Sequence, residues 1–327
     1  MRQWKSILFA GAVLSAPVVS GAQAQSDFPN RPVKLVVGFA PGGATDVVTR
    51  LLTGALGAEL GQSVVVENIA GASGLVGWRN VAGATPDGYT LLMSENAIAI
   101  RPGFKDMTPP FDPVTQLDGI AGVAHSPLVL CVANAVPVNN VKELIAYAHS
   151  SGKKLNYASS GLSSVAQLVW EVVSDGAKIE AVTVPYRGGG PAMADLIAGQ
   201  VDLIMASSQV AKPFLDSQKI KCLAVTGEKR APILPDVPTL AEAGVKHANV
   251  ELQFWFGLFG PKGLPADVKA KLQKVVERTM ASPAVRERLA TLDVTPDFRP
   301  GSALQVQLQS EIKNWSSFIE AKGLKAQ

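Results

Sequence analysis

Hydrophobic positions along the chain alternate between short β-branched runs and stretches with helical spacing. Residues 33–38 form the first run, and Val48, Leu52 and Leu56 then recur at helical spacing up to a stop at Gly61. Similar runs predict strands at 63–67, 89–93, 127–132, 155–158, 182–186, 201–205, 220–225 and 252–259. Regular alternation of this kind is typical of α/β layers built on mostly parallel sheets.

Capping and helix-opening residues mark the segments between the predicted strands. Asn140 is placed to cap a helix, and Pro191 lies where first-turn prolines belong. Pro265 and Pro283 open two later helices, and residues 302–321 predict a long amphipathic helix.

The N-terminus has the composition of a secretory signal peptide. Arg2 and Lys5 precede an almost wholly apolar run at 7–19, and Ala22 and Ala24 frame a small-residue cleavage site. The apolar run is too short for an ordinary membrane span, and a buried first strand or helix is the alternative. We expect cleavage after Ala24 and, without a nearby cysteine, no lipid anchor.

The chain left after cleavage is long enough for two lobes. Removing residues 1–24 from 327 leaves 303, more than one hydrophobic core usually organises. Strands near 128 and 225 are predicted to cross between the lobes. We therefore expect lobe 1 to comprise 25–127 and 226–327, and lobe 2 to comprise 128–225.

The charge balance argues against nucleic-acid binding. The chain has 30 Lys and Arg against 27 Asp and Glu, and loss of Arg2 and Lys5 would leave 28 against 27, a net charge of +1. No basic cluster of the kind that tracks a phosphate backbone is visible. An acidic ligand would therefore be held by local dipoles rather than by overall charge.

Two cysteines, Cys131 and Cys222, lie in apolar runs that predict strands. An oxidising compartment permits a disulfide between them, whereas the alternative is two small buried side chains. Their spacing in the sequence does not decide between these interpretations.

A glycine-rich loop follows the first predicted strand. Residues 39–46 read Phe-Ala-Pro-Gly-Gly-Ala-Thr-Asp and lead into the first predicted helix. Glycines let a ligand approach the backbone, and the N–H groups and dipole of a helix start favour an anion such as a carboxylate. Capping of the helix by Thr45 or Asp46 is the structural alternative. The loop is neither a P-loop nor a dinucleotide-binding fingerprint.

Three other loops occupy the same position between a predicted strand and the next helix. They begin at Ser94, Ser159 and Arg187. Ligands of open α/β sheets bind at this edge, so the four loops together indicate a binding cleft. Arg187 is the only cation among them, and it either contacts the ligand or is a solvated loop charge.

A set of short motifs stands in a characteristic order along the chain. They are residues 28–33 (Phe-Pro-Asn-Arg-Pro-Val), 39–46, 61–68 (Gly-Gln-Ser-Val-Val-Val-Glu-Asn), 86–92 (Pro-Asp-Gly-Tyr-Thr-Leu-Leu), 157–161, 184–189, 199–202 and 234–239. Together they strongly resemble the Bug-type substrate-binding proteins of tripartite tricarboxylate transporters. The resemblance covers essentially the whole predicted mature chain.

The resemblance implies a periplasmic binding protein of the type II-like Venus-flytrap class. Each lobe of this α/β fold would be a doubly wound, mostly parallel sheet flanked by helices. Loops of both lobes would grip a small carboxylate, whether mono-, di- or tricarboxylate, aromatic acid or amino acid, through backbone amides and ordered waters. We expect delivery to membrane permease subunits by a monomer that has no cofactor and no metal.

The resemblance and the loop positions together give the expected ligand-binding residues. These are Phe39, Ala40, Gly42, Gly43, Asp46, Ser94, Ser159, Ser160, Gly161, Ser164, Arg187, Gly188 and Gly189. One departure from the family pattern is that the chain has Ser163 and Gln167 where Gly and His are common. The identity of the ligand is therefore not inherited from any one relative.

Two other classes of function are the alternatives. His125, His149 and His247 are scattered without metal-ligand spacing, and no Gly-x-Ser-x-Gly elbow occurs. No nucleophile, base and orienting residue can be assembled, so we do not expect an enzyme. A receptor that docks on a membrane sensor kinase would use the same closure as a transport receptor, and the sequence does not separate these two.

Overall fold

The computed structural model describes residues 28–105, 111–161, 164–245 and 253–325. The predicted signal peptide, Ser163 and His247 lie outside the described residues. In the described ranges, no helix is both long and apolar enough to cross a bilayer.

Strands and helices alternate through most of the chain. The strands are β1 (Val33–Val37), β2 (Val64–Asn68), β3 (Thr90–Glu95), β4 (Leu117–Ser126), β5 (Leu128–Ala133), β6 (Leu155–Ser159), β7 (Ala181–Pro185), β8 (Leu203–Ser207), β9 (Ile220–Val225), β10 (Phe254–Pro261) and β11 (Thr295–Pro300). The helices are α1 (Ala44–Leu60), α2 (Leu75–Ala82), α3 (Ala97–Ile100), α4 (Pro113–Gln116), α5 (Val141–Ser150), α6 (Val165–Ala177), α7 (Gly189–Ile197), α8 (Ser208–Asp216), α9 (Ala266–Ala281), α10 (Pro283–Ala290) and α11 (Gly301–Lys322).

The strands form two mixed sheets with closely related orders. The first sheet has the order β2-β1-β3-β10-β4-β11, and the second has the order β7-β6-β8-β5-β9. In each sheet, three parallel strands from successive strand–helix–strand units lie beside an antiparallel strand, β10 or β5. The two-lobed α/β class is therefore confirmed.

Each sheet also contains a strand that runs against its neighbours. In the first sheet, β10 pairs antiparallel with both β3 and β4, and in the second, β5 pairs antiparallel with both β8 and β9. The reason is the route of the chain. Because β10 and β5 arrive from the other sheet, they enter at the end where the parallel strands finish, and so they run in the opposite direction.

The chain passes from the first sheet to the second at Pro127, between β4 and β5. The N–H of Leu128 donates to Oγ1 of Thr226 (2.8 Å), and the N–H of Thr226 donates to the carbonyl of Leu128 (2.8 Å). The outward and returning segments are thus hydrogen-bonded where they cross. The strands between 128 and 225 form the second sheet, but the exact limits of the lobes stay a prediction.

The longest strand of the first sheet was not predicted. Leu117–Ser126 contains Gly119, Gly122 and two alanines, which are poor strand formers by themselves. It is a strand because β10 pairs along one side of it and β11 along the other. Tertiary pairing overrides local preference here.

The two cysteines pair across neighbouring strands. Cys131 of β5 lies opposite Cys222 of β9, with Cα atoms 4.0 Å apart, and their sulfurs form a disulfide. The structure therefore favours the disulfide over two separate buried thiols.

Candidate functional site

A cavity of about 470 Å³, counting its open mouth, lies between the two sheets. Parallel strands of both sheets end here, at the edge where open α/β sheets bind ligands. The lining residues are Phe39, Gly43, Ala44, Thr45, Glu95, Leu128, Ser160, Ser164, Ala166, Gly188, Gly189, Met205, Ala206, Ser207, Val210 and Phe254.

Residues 39–43, the first glycine loop, connect β1 to α1. Gly43 is the N-cap residue of α1, and no side chain caps this helix start. Neither Thr45 nor Asp46 is therefore the N-cap. The N–H groups of the first turn of α1 have no intrahelical acceptor, and the positive end of its dipole is directed to the cavity.

Asp46 holds the first glycine loop in shape. Its carboxylate, only 3% exposed, accepts hydrogen bonds from the N–H of Gly42, Nε of Arg50 and Nδ2 of Asn68, each 2.9 Å long. Asn68 also donates to the carbonyl of Phe39 (3.0 Å). Because the carboxylate is occupied by these three donors, Asp46 orders the loop and does not line the cavity.

Residues 187–190, the second glycine loop, follow β7 and include the first two residues of α7. Gly188 is the N-cap of α7, again without a side-chain cap. The hydroxyl of Tyr186 donates to Oδ2 of Asp195 in α7 (2.6 Å), and burial, reinforced by this carboxylate, raises the pKa of Tyr186 to about 12. Tyr186 therefore fixes the loop from behind.

The two glycine loops touch each other backbone to backbone. The N–H of Ala40 donates to the carbonyl of Arg187 (3.2 Å). A Cβ added to Gly190 would lie 2.6 Å from the carbonyl oxygen of Pro41, so only glycine permits this approach. The helix starts of α1 and α7 consequently converge on one cavity, where their dipoles together favour an anion.

A third loop, after β6, adds hydroxyl groups to the cavity. Oγ of Ser164 caps α6 by accepting from the N–H of Gln167 (3.2 Å), and it lies 3.2 Å from Oγ of Ser160. Ser159 is buried behind them and accepts from the N–H of Gly161 (3.2 Å). Ser160 and Ser164 therefore provide the hydroxyls that reach the cavity.

Ser207, at the end of β8, was not predicted. It lines the cavity, is 5% exposed, and its Oγ has no hydrogen-bond partner in the described part of the chain. A buried hydroxyl without a partner is costly, so Ser207 is suited to pair with a bound molecule. The signal that could have identified Ser207 is its position between a predicted strand and the next helix.

Glu95, the last residue of β3, was also not predicted as a cavity residue. Its side chain is 2% exposed, and Oε2 accepts from the N–H of Ala97 (2.8 Å). Burial raises the pKa of Glu95 to about 8, with a smaller contribution from the charge of Glu311. The group is therefore mostly neutral at pH 7.

The predicted binding residues fall into two groups. Those that line the cavity are Phe39, Gly43, Ser160, Ser164, Gly188 and Gly189, and those behind or beside it are Ala40, Gly42, Asp46, Ser94, Ser159, Gly161 and Arg187. Arg187 is exposed, so its guanidinium is not part of the cavity wall. Their contact with a ligand stays a prediction.

Metal-binding groups are absent from the ranges that the structure describes. No cluster of three or more His, Cys, Asp or Glu side chains there is arranged to hold a metal ion.

Known proteins share both the sequence pattern and the fold. The family described as tripartite tricarboxylate transporter family receptor matches residues 48–324. The chain belongs to this family. Its members include periplasmic solute-binding proteins, and the Bug-type resemblance of the motifs is confirmed.

Three solved structures of this family superpose on almost the whole chain. The periplasmic binding protein BugD has 34% identity and a TM-score of 0.87, covering 92% of this chain and 100% of its own. An R. palustris protein solved with adipate has 33% identity and a TM-score of 0.86, covering 91% and 99%. MatC from Rhodopseudomonas palustris, solved with malate, has 33% identity and a TM-score of 0.80, covering 89% and 99%.

Proposed function

We propose that this receptor closes its two lobes around a small carboxylate. The observation that carries the proposal is the convergence of two uncapped helix starts, α1 and α7, on one cavity between the lobes. Backbone N–H groups and helix dipoles can stabilise an anion without a basic side chain. None of the lining residues that the structure describes is basic, so these dipoles are the proposed source of positive potential.

The remaining cavity surface indicates a ligand with an apolar body. Phe39, Leu128, Met205, Val210 and Phe254 contribute this surface. Short aliphatic or aromatic acids combine such a body with a carboxylate, and the adipate and malate of the solved relatives belong to the same chemical class. The carboxylate would lie at the glycine loops and the body against the apolar side chains.

Closure provides the signal for delivery to a transporter. The contact between Ala40 and Arg187 joins the lobes only when the glycine loops meet, so a partner can distinguish the closed shape from the open one. We propose that the chain is exported by its N-terminal signal, acts as a monomer without catalysis, and presents the closed lobes to membrane permease subunits.

A thermal-shift panel tests carboxylate binding. The panel comprises malate, adipate, hexanoate, benzoate, nicotinate and citrate, each matched with its uncharged amide. A ligand at one hundred times its Kd stabilises the native state by about 2.7 kcal/mol, which raises Tm by several degrees. We expect at least one acid to raise Tm and its amide to leave Tm unchanged; a flat response to all the acids would contradict the proposal.

A further inference from the structure

Among the described residues that line the cavity, Glu95 is the one with an ionisable side chain. It belongs to β3 of the first sheet and lies outside the glycine loops. A carboxyl group in a cavity that attracts anions requires a specific role, because an ionised Glu95 would repel the ligand.

In the described part of the chain, no positively charged group is found to hold Glu95 ionised. None of the ion pairs among the described residues includes it. Glu311 of α11 is the charged group that acts on it, and the effect is repulsive. Arg299 of β11 acts on Glu311 instead. The buried carboxyl is therefore stabilised as the neutral acid.

One oxygen of this carboxyl is already engaged. Oε2 accepts from the N–H of Ala97, which leaves the other oxygen to carry the proton and to donate. The polar side chains that share the cavity, Thr45, Ser160, Ser164 and Ser207, are neutral hydroxyls. A neutral Glu95 thus extends a wall of hydrogen-bond donors.

We propose that Glu95 selects the ligand as a neutral carboxylic acid, donating its proton to an acceptor at the end of the ligand away from the glycine loops. The inference rests on the proposed function. It narrows the ligand class to acids that carry a second oxygen acceptor, such as dicarboxylates and keto acids. A ligand with an ammonium group at that end would instead require Glu95 to be ionised.

The affinities for a ligand with an oxygen acceptor and for one with an ammonium group should depend on pH in opposite directions. With a pKa of about 8, Glu95 carries its proton below pH 8 and loses it above. Binding that requires the protonated form is therefore at full strength well below pH 8 and weakens by up to about tenfold per pH unit above it. An ammonium ligand would bind more tightly as the pH rises. Tyr186, with a pKa of about 12, does not titrate in this window.

Isothermal titration with three matched six-carbon probes separates these cases. The probes are adipate, hexanoate and 6-aminohexanoate, titrated from pH 6.5 to 9.5 into the wild type, Glu95→Gln, and Glu287→Gln as an exposed control. We expect adipate to bind at least about tenfold more tightly than hexanoate at pH 6.5 and to lose that advantage by pH 9.5. Glu95→Gln should bind adipate with little pH dependence, whereas Glu287→Gln should follow the wild type.

Three results would overturn the inference while leaving carboxylate capture intact. They are preferred binding of 6-aminohexanoate that strengthens with pH, equal binding of adipate and hexanoate throughout, and an unchanged pH profile in Glu95→Gln. In parallel, a ¹³C NMR titration of the ligand-free protein that placed the pKa of Glu95 below 6 would overturn it without any ligand. Failure of every acid at every pH would contradict the proposed function as well.

Discussion

The two glycine loops are alike in backbone but differ in what holds them. Each follows a strand and begins a helix at an uncapped glycine. The first is held within its own lobe by the buried carboxylate of Asp46, which bonds directly to the loop backbone. The second is held by the Tyr186–Asp195 pair behind it and by a bond to the other lobe, from Ala40 to the carbonyl of Arg187.

The first glycine loop is therefore preformed, whereas the second is fully held only when the lobes close. The carboxylate of Asp46 bonds to the first loop whether or not the lobes meet, because Gly42, Arg50 and Asn68 all lie in lobe 1. The bond from Ala40 exists only when the lobes are together. We infer that the first loop binds the anion initially and that the second loop then closes over it.

The largest effect on carboxylate affinity is expected for Gly190→Ala. The added Cβ would meet the carbonyl of Pro41 at 2.6 Å, so the second loop could not close on the first. Since Gly190 has no left-handed backbone angle, lobe 2 itself should accept alanine. We expect a loss of carboxylate affinity of about a hundredfold or more, measured by titration calorimetry.

The matched control is Gly54→Ala, in the middle of α1. A Cβ there meets nothing within 4 Å, so affinity should be unchanged and helix propensity should slightly raise Tm. Affinity retained in Gly190→Ala, with normal circular dichroism, would show that the loops do not have to meet.

Asp46→Asn should have an intermediate effect on carboxylate affinity, and the direction of the change distinguishes two roles of Asp46. If Asp46 mattered only as a negative charge near the anion, removing the charge would tighten binding. An amide has one acceptor oxygen and cannot serve Gly42, Arg50 and Asn68 together, so the first loop should lose its preformed shape. We expect about tenfold weaker binding, equivalent to about 1.4 kcal/mol, by calorimetry. Tighter binding would contradict the ordering role.

Tyr186→Phe should have the smallest effect. The lost hydrogen bond to Asp195 lies behind the second loop, and contact with the first loop can still position it after closure. We expect affinity to fall by about two- to fivefold. The control is Tyr147→Phe, on α5 and away from the cavity, which should leave affinity unchanged. An effect of Tyr186→Phe larger than that of Asp46→Asn would reverse the proposed order of the loops.

The first glycine loop could be predicted from the sequence because its signals are local. Glycines beside a helix start are visible in the letters, and α1 ends at Gly61 as predicted, with Gly61 in the left-handed conformation. Glu95 and Ser207 were missed because their role depends on what packs around them. The burial that raises the pKa of Glu95 cannot be predicted from its neighbours in the sequence.

The fold shows the same division between local and long-range information. Asn140 caps α5 as predicted, since its side chain accepts from the N–H of Glu143, only three residues away. The strand β4 was missed, and the antiparallel directions of β5 and β10 were not predicted, because both depend on partners far along the chain. Patterns identify most elements, whereas pairing between distant segments decides how they assemble.

A crystal structure of the complex with the most stabilising acid of the thermal-shift panel tests the central claim most directly. The account predicts closed lobes with the ligand carboxylate at the starts of α1 and α7. Its oxygens should lie within about 3 Å of backbone N–H groups or of waters bound to them. A carboxylate held by Arg187 or another basic side chain, or a ligand outside this cavity, would contradict it.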